Sequence, residues 1–256
     1  MGNLSIIGRI FYGISIAVMG FVTIYDHDFP YMLIPEGRSW LVGHEIVAYI
    51  SGVLLILAGV FIAFAKKTFP VSLLLGAVLL AIFCFYFIPY QLMASPRYMH
   101  FGQWENAAKE LALAGGAFVI AGCFSRKLMP LGAILFAITI MSFGIDHFLF
   151  AREALDYIPS WIPYHLFWMY FTGSALLGSG IAIILNIRPG LFAALLGAMV
   201  FTWFIILHVP RMIASPLAGI GGEVTSAFLA LAYCGTAFVI AGVQSRYNIE
   251  RHMPYI

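Results

Sequence analysis

Long apolar stretches, separated by short polar breaks, follow one another along the whole chain. A membrane helix needs about 20 apolar residues, and eight stretches are of about that length: 4–25, 41–64, 69–90, 106–124, 129–150, 162–185, 190–209 and 224–243. Outer-membrane strands would instead give short segments of alternating hydrophobicity. The pattern therefore predicts an all-α, polytopic membrane protein with eight transmembrane helices.

The composition agrees with this prediction. Hydrophobic residues make up 62% of the chain and charged residues only 9%, whereas soluble proteins have about 45–50% apolar and about 25% charged residues. These values exclude a soluble domain, a disordered chain and a protein that binds nucleic acid. The lipid bilayer is therefore the expected partner.

The basic residues are distributed unevenly between the two ends of the predicted spans. An even number of spans places both termini on one side, which carries eight basic residues and one acid: Arg9, Lys66, Lys67, Arg126, Lys127, Arg188, Arg246, Arg251 and Glu250. Lysine and arginine are enriched in cytoplasmic segments. We therefore expect both termini in the cytoplasm, with the chain in the cytoplasmic (inner) membrane of a prokaryote.

The second half of the chain repeats motifs of the first half. The stretch 117–122 recurs as 237–242, and Asp26-His27 recurs as Asp146-His147. Trp40, His44 and Pro89 are matched by Trp161, His165 and Pro210. Each half, 1–126 and 127–256, holds four spans and so has the same orientation in the membrane. This predicts a parallel repeat of two four-helix bundles side by side.

Ionisable residues in hydrocarbon are costly and often functional, and here they cluster near the predicted outer ends of the spans. Adjacent helical residues point about 100° apart, so Asp26 is expected to contact His44 rather than His27. By the same reasoning Asp146 is expected to contact His165. Two interpretations stay open: pockets that exchange protons with a quinone-like or other amphiphilic ligand, or structural clamps between helix ends.

Five further residues near the same ends are candidates for ligand binding: His27, His147, His208, Arg211 and Glu223. His208, with Pro210 and Arg211, could supply a cation for an anionic headgroup, or it could anchor a helix end. Glu223 could cap the eighth span or pair with Arg97 or Arg211. In the first turn of the fourth span, Glu105 and Lys109 have the spacing of a local ion pair.

The histidines and cysteines give little support for a metal or haem site. Haem needs ligands that face each other well inside a bundle, whereas these histidines lie near the surface, so we expect neither haem nor a metal ion. Cys84, Cys123 and Cys234 all lie in apolar stretches and form no CxxC motif. We therefore interpret the three cysteines as small, buried hydrophobic residues.

The stretch from Asp146-His147-Phe148 through Pro159-Ser160-Trp161-Ile162-Pro163 and His165 to 170–173 resembles the DoxX/DoxD-like family of small four-helix membrane proteins. The first half resembles a diverged copy, so the chain looks like a tandem version. The resemblance implies a membrane subunit of a quinone-linked oxidoreductase, such as thiosulfate:quinone oxidoreductase, with quinone as ligand and a separate soluble subunit as partner.

Three functions therefore stay open. The first is the quinone-interacting membrane component of a redox complex, in which Asp26, His44, Asp146 and His165 handle protons. The second is a non-catalytic accessory subunit that stabilises a larger membrane assembly. The third is a transporter of ions or small solutes, which internal repeats permit, although the charged residues cluster at one face and no span is predicted to be interrupted near its middle.

Overall fold

A computed structural model describes residues 2–34, 44–94, 104–215 and 222–252. Within these ranges the chain forms eight long helices and no strand: α1 Asn3–Tyr25, α2 His44–Phe64, α3 Phe69–Met93, α4 Glu105–Gly122, α5 Leu128–Leu149, α6 His165–Ile184, α7 Pro189–Ala214 and α8 Glu223–His252. A short 3₁₀ turn, Leu155–Tyr157, lies between α5 and α6. The all-α prediction is confirmed.

Seven of the eight described helices are long and apolar enough to cross a membrane, which fits a multi-pass membrane protein. The exception is α4, which carries Glu105, Lys109 and Glu110 in its first two turns. It is also deeply enclosed, since every residue from Glu110 to Gly122 is buried. Glu110 is therefore enclosed by the neighbouring helices, whereas Glu105 and Lys109 are partly exposed.

The helices share one hydrophobic core that draws residues from both halves of the chain. Helix α1 packs along α2 and α8, and α5 packs along α4 and α6. Helix α3 packs on α4, α7 packs on α8, and the two central helices α4 and α8 contact each other. The boundary between 1–126 and 127–256 thus runs through close helix contacts, and the division into two bundles stays a prediction.

Glycines let the helices approach closely at two crossings, and at each of them a glycine of one helix lies against the backbone of a valine in the other. Between α1 and α8, a Cβ on Gly8 would lie 2.8 Å from the backbone nitrogen of Val239. Between α5 and α4, a Cβ on Gly132 would lie 2.5 Å from the backbone nitrogen of Val119. Both distances are too short for a real Cβ, so the backbones are in direct contact, as is common between membrane helices.

Helix α3 ends in a turn of π-helix at Tyr90–Ala94, and α3 and α7 also share a matched π-turn, at Phe83–Phe87 and Phe204–His208. In each matched turn the hydrogen bond runs from the sixth residue back to the first, from Ile88 N–H to the Phe83 carbonyl and from Val209 N–H to the Phe204 carbonyl. Pro89 follows Ile88, and Pro210 follows Val209. A proline has no N–H to donate, and its ring crowds the carbonyl group four residues earlier. The helix widens there instead of ending, so α7 continues past the predicted limit of residue 209.

The ends of the helices at which the candidate residues lie form one layer of the bundle. Helices α1, α3, α5 and α7 end there, and α2, α4, α6 and α8 begin there. We call this layer the histidine end, because five described histidines belong to it: His27, His44, His147, His165 and His208.

Candidate functional site

The first predicted Asp-His pair lies just beyond the end of α1. Asp26 follows the last helical residue, and His27 has a left-handed backbone with a φ of 56°. The Tyr49 hydroxyl of α2 forms a hydrogen bond with His27 Nδ1, and the ring centroids are 5.3 Å apart. Partial burial raises the pKa of Asp26, and the neighbouring Asp28 carboxylate adds to this effect.

The predicted contact between Asp26 and His44 is not formed, although the structure describes both residues. The contact between α1 and α2 at this level is made by His27 with Tyr49. The helix pairing was therefore predicted correctly, but the wrong member of the Asp-His pair was assigned to it.

The second Asp-His pair does not occupy the same place as the first, which corrects the prediction from the repeat. Asp146 and His147 lie inside the last turn of α5. Asp146 follows Gly132 by 14 residues, whereas Asp26 follows Gly8 by 18. Because Gly8 and Gly132 lie at crossings of the same kind, Asp146 lies about one helical turn deeper than Asp26.

His147, rather than Asp146, faces helix α6. A Cβ on Gly173 of α6 would lie 2.7 Å from the His147 Cβ, and His147 Nδ1 lies 2.7 Å from the Phe143 carbonyl oxygen of its own helix. Successive helical residues point about 100° apart, which turns Asp146 away from α6. No hydrogen bond or ion pair joins Asp146 to His165 in the described structure, so this expected contact is also wrong.

Asp146 interacts electrostatically with the charged residues at the start of α4. Its electrostatic neighbours are Glu105 and Lys109, and its Oδ1 atom is buried without a hydrogen-bond partner. The ion pair predicted within α4 is confirmed, because Lys109 Nζ lies 2.6 Å from Glu105 Oε1. Lys109 Nζ also lies 3.4 Å from Asn106 Oδ1.

Arg211 and Glu223 form an ion pair that joins the end of α7 to the start of α8. Arg211 Nε donates to Glu223 Oε1 over 3.0 Å, and Nη2 donates to the same oxygen. The Arg211 guanidinium carbon lies 4.5 Å from the centre of the Tyr157 ring. Of the two partners predicted for Glu223, the structure shows Arg211, while Arg97 lies outside the described residues. One turn earlier in α7, His208 Nδ1 is buried without a partner.

Glu110 is the most unusual polar residue of the described structure, and it is absent from the sequence-based candidates. Its side chain is 0% exposed, and neither carboxyl oxygen has a hydrogen-bond partner. An isolated ionised carboxylate in an apolar interior is very costly. The site therefore favours a carboxylic acid, or a carboxylate that is paired with something bound.

Two buried tyrosines, one from α1 and one from α8, interact electrostatically with Glu110. The Tyr12 hydroxyl donates to the Leu113 carbonyl oxygen over 2.6 Å, and Glu110 is its charged neighbour. The Tyr233 hydroxyl is buried without a partner, and Tyr233 is only 8% exposed. Glu105, Glu110 and Tyr12 are the electrostatic neighbours of Tyr233. We call Glu110, Tyr12 and Tyr233 the acid–tyrosine centre.

Aromatic packing fixes the Tyr233 ring against α5. The ring centroid of Tyr233 lies 6.3 Å from that of Phe136 and 6.0 Å from that of Phe143. Asp146 follows Phe143 by one helical turn in the direction of the histidine end. The Tyr233 ring is thus packed against the face of α5 that carries Phe136 and Phe143.

A signal for Glu110 is present in the sequence. Three charged residues, Glu105, Lys109 and Glu110, stand close together in an otherwise apolar span, and the pairing of Glu105 with Lys109 leaves Glu110 without a local partner. What the sequence lacks is the direction in which Glu110 points, because neighbouring helices decide that.

The donor groups fit protons better than they fit a metal ion. Within the described ranges, no group of three or more His, Cys, Asp or Glu side chains could hold a metal. Glu110, Asp146, Tyr12 and Tyr233 are hydroxyl and carboxyl groups, which donate and accept protons. This arrangement can store a proton, pass it on or hold a polar ligand atom. Comparisons with protein-family models, with curated proteins and with solved structures find no match to the chain.

Proposed function

We propose that this chain is an integral membrane protein that binds a quinone-like amphiphile on the side of the histidine end and exchanges protons with it through the acid–tyrosine centre. It would act as the DoxX-like membrane component of a redox complex with a soluble partner subunit. One observation carries the proposal: Glu110 is completely buried, and both of its carboxyl oxygens lack partners. Buried ionisable groups in membrane helices are retained mainly for function.

The unpartnered groups fit a quinone. Quinone carbonyl oxygens accept hydrogen bonds, and the Tyr233 hydroxyl and a protonated Glu110 both have a donor to offer. Glu110, Tyr233 and Asp146 are therefore the residues that would hold it. When bound, a quinone supplies two-electron chemistry coupled to protons, and the part of this chain is to hold and deliver those protons. The proton-handling roles of Asp26, His44 and His165 stay predictions.

We also propose that the histidine end faces outward and that both termini lie in the cytoplasm. The opposite end carries Lys66, Lys67, Arg126, Lys127 and Arg188 at its helix connections. Basic residues of this kind are retained on the cytoplasmic side. In the cytoplasmic membrane of a prokaryote, the quinone-like ligand would then bind from the extracytoplasmic leaflet.

The proposed duplication of a four-helix unit has support in the helix crossings. The Gly8 crossing with Val239 and the Gly132 crossing with Val119 use the same residue types, and Val119 and Val239 belong to the repeated stretches 117–122 and 237–242. The π-turns of α3 and α7 likewise lie directly before the matched prolines.

Ligand binding by purified protein tests the proposal. In nanodiscs, we expect Glu110→Met to weaken the binding of a short-chain benzoquinone by about tenfold, the loss expected for one hydrogen bond of about 1.4 kcal/mol. Glu45→Met makes the same change at an exposed position of α2 and should leave the affinity unchanged. Equal affinities for wild type and Glu110→Met would overturn the assignment of Glu110.

A proton-coupled transporter is the second candidate, because two observations favour it. A single buried carboxyl can be loaded and unloaded by a proton, and π-turns at matched places of α3 and α7 interrupt the regular helix, often at functional sites. A solute or proton flux in liposomes that Glu110→Gln abolishes would favour the transporter, whereas stoichiometric protein partners without any bound small molecule would favour the accessory subunit.

A further inference from the structure

The connection between α5 and α6 folds back over the place where α6 and α7 meet. We call residues 151–164 the strap. Two isoleucines of the strap are buried against aromatic and aliphatic side chains of both helices. This apolar group includes Ile158 and Ile162 of the strap, Trp168 and Met169 of α6, and Trp203 and Ile206 of α7. The two indole rings meet edge to face, with centroids 6.4 Å apart. The strap therefore covers an apolar surface shared by the two helices, which we call the α6–α7 seam.

The backbone of the strap is bonded mainly to itself. Ile158 N–H donates to the Leu155 carbonyl oxygen over 3.1 Å, and Ile162 N–H donates to the Pro159 carbonyl oxygen over 3.0 Å. Pro159 and Pro163 fix the chain further and carry no N–H that needs a partner. The described contacts of the strap with α7 are made by side chains. The strap can therefore leave α7 without losing its own backbone hydrogen bonds.

One cation–π contact fastens the middle of the strap to α7. The Arg211 guanidinium carbon lies 4.5 Å from the centre of the Tyr157 ring, and the Tyr157 side chain is 55% exposed. Such a contact is weak at an exposed site. Arg211 keeps its ion pair with Glu223 of α8 whether or not the tyrosine is in place. This fastening can thus be released while α7 and α8 stay joined.

The corresponding connection of the first half is anchored in a different way. Between α1 and α2, Met32 and Leu33 are buried members of the main core. Ile158, Ile162 and Met169 instead form a separate cluster, of the small kind found under long connections. Segments with few buried apolar contacts open locally while the rest of a protein stays folded. The strap is therefore able to lift while the bundle remains intact.

The seam under the strap accepts branched aliphatic groups. Ile158 and Ile162 already place two of them against the indole rings and the Met169 side chain. Helix α6 packs mainly on α5, and α7 packs mainly on α8, so α6 and α7 are not closed against each other along their length. Isoprenoid tails of membrane amphiphiles carry a methyl branch in every unit. Such a tail has the shape and polarity of the side chains that fill the seam.

We propose that the strap is a lid over the α6–α7 seam, and that the isoprenoid tail of a membrane amphiphile binds there in place of the two strap isoleucines. The exchange replaces one set of apolar contacts by another, so a small difference in affinity decides which of them occupies the seam. The proposal rests on the proposed function, since it gives a place to the tail of the quinone-like ligand, but it requires no chemistry at Glu110.

The opening of the strap is tested without any ligand. In nanodiscs, N-ethylmaleimide labels Met169→Cys in a cysteine-free background, and the rate reports how often the seam is uncovered. We expect Tyr157→Leu to raise this rate about two- to fivefold, the ratio that corresponds to a cation–π contact at an exposed site. Trp161→Leu changes an exposed aromatic side chain of the same strap and should leave the rate unchanged. Met19→Cys, in the main core, should stay unlabelled throughout.

The occupant is tested with a probe that has no quinone headgroup. Farnesol, a branched isoprenoid alcohol, should slow the labelling of Met169→Cys in the Tyr157→Leu protein by about twofold at half saturation, because an occupied seam covers the thiol. Dodecanol, which is unbranched, should slow it less. Glu110→Met should alter neither result, so a failure of quinone binding at Glu110 is distinguished from a failure of this proposal.

Three outcomes would overturn the proposal. Equal labelling rates with Tyr157→Leu and with Trp161→Leu would show that the strap is not a lid. Labelling of Met19→Cys as fast as that of Met169→Cys would mean that the whole bundle loosens. Farnesol that protects no better than dodecanol would remove the isoprenoid tail from the seam.

Discussion

At the scale of single residues, Glu110 opposes the stability of the bundle that encloses it. A buried polar group without a partner costs about 1–3 kcal/mol, and both oxygens of Glu110 are in this position. An apolar side chain of similar volume would remove that cost, as replacements of buried ionic groups have done elsewhere. Retention of the acid is therefore better explained by its chemistry than by its contribution to folding.

This interpretation predicts that Glu110→Met makes the protein more stable while weakening ligand binding. We expect the free energy of unfolding to rise by about 1–3 kcal/mol, the penalty of an unsatisfied buried group. Chemical unfolding in detergent micelles measures this change, with Glu45→Met as the exposed counterpart. A less stable Glu110→Met protein would show that a stabilising contact holds the carboxyl group.

At the scale of helices, small residues at crossings decide how closely two backbones approach. A Cβ on Gly132 would lie 2.6 Å from the Gly115 carbonyl oxygen and 2.5 Å from the Val119 nitrogen. These neighbours are backbone atoms, so they cannot rotate away as a side chain would. Gly178 of α6 differs, since nothing lies within 4 Å of the place where its Cβ would stand.

The contrast gives a matched pair of substitutions. Gly132→Ala should lower the free energy of unfolding by about 1–3 kcal/mol, because an added methyl group forces α4 and α5 apart. Gly178→Ala should leave it unchanged or raise it by about 0.5–1 kcal/mol, the helical preference of alanine over glycine. Unfolding curves in mixed micelles compare the two. Similar effects of both substitutions would mean that the α4–α5 crossing is looser than described.

At the scale of the whole molecule, the central position of α4 explains why a helix with three charged residues is tolerated. Helices α3, α5 and α8 pack on α4, so Glu110 is completely enclosed by protein, and Glu105 and Lys109 lie at the start of α4, at the histidine end. Ionisable groups in membranes usually face the interior of a bundle. The helix least suited to lipid by its own composition therefore carries the candidate site.

The proposed orientation predicts opposite accessibility of the two ends of the bundle. In intact cells that express a cysteine-free background, a membrane-impermeant thiol reagent should label Glu153→Cys directly. Lys66→Cys should react only after permeabilisation, because the basic end is held in the cytoplasm. The reverse pattern would place the histidine end on the cytoplasmic side.

Much of the helix arrangement can be predicted from the sequence. The predicted span 4–25 corresponds to Asn3–Tyr25, and 129–150 corresponds to Leu128–Leu149, because uninterrupted apolar length and polar breaks fix where a membrane helix begins and ends. The π-turns were not predicted, since a proline signals a break and only packing decides whether the helix widens or stops.

The candidate site was predicted only in part. Asp146 was assigned to the correct end of α5, but its expected partner, His165, proved wrong, because a helical rotation of about 100° separates Asp146 from His147. The matched Asp-His motifs suggested equal depth, yet Asp146 lies about one turn deeper than Asp26 relative to the glycine crossings.

The sequence by itself determined that this protein is a set of apolar helices with its acids and histidines gathered near one end, because hydropathy and charge are properties of each residue wherever it lies. Only the tertiary structure decided which acids are enclosed and what surrounds them. Glu110 became a buried acid because α3, α5 and α8 pack on α4, and the direction of a side chain is set by such contacts, which no local pattern records.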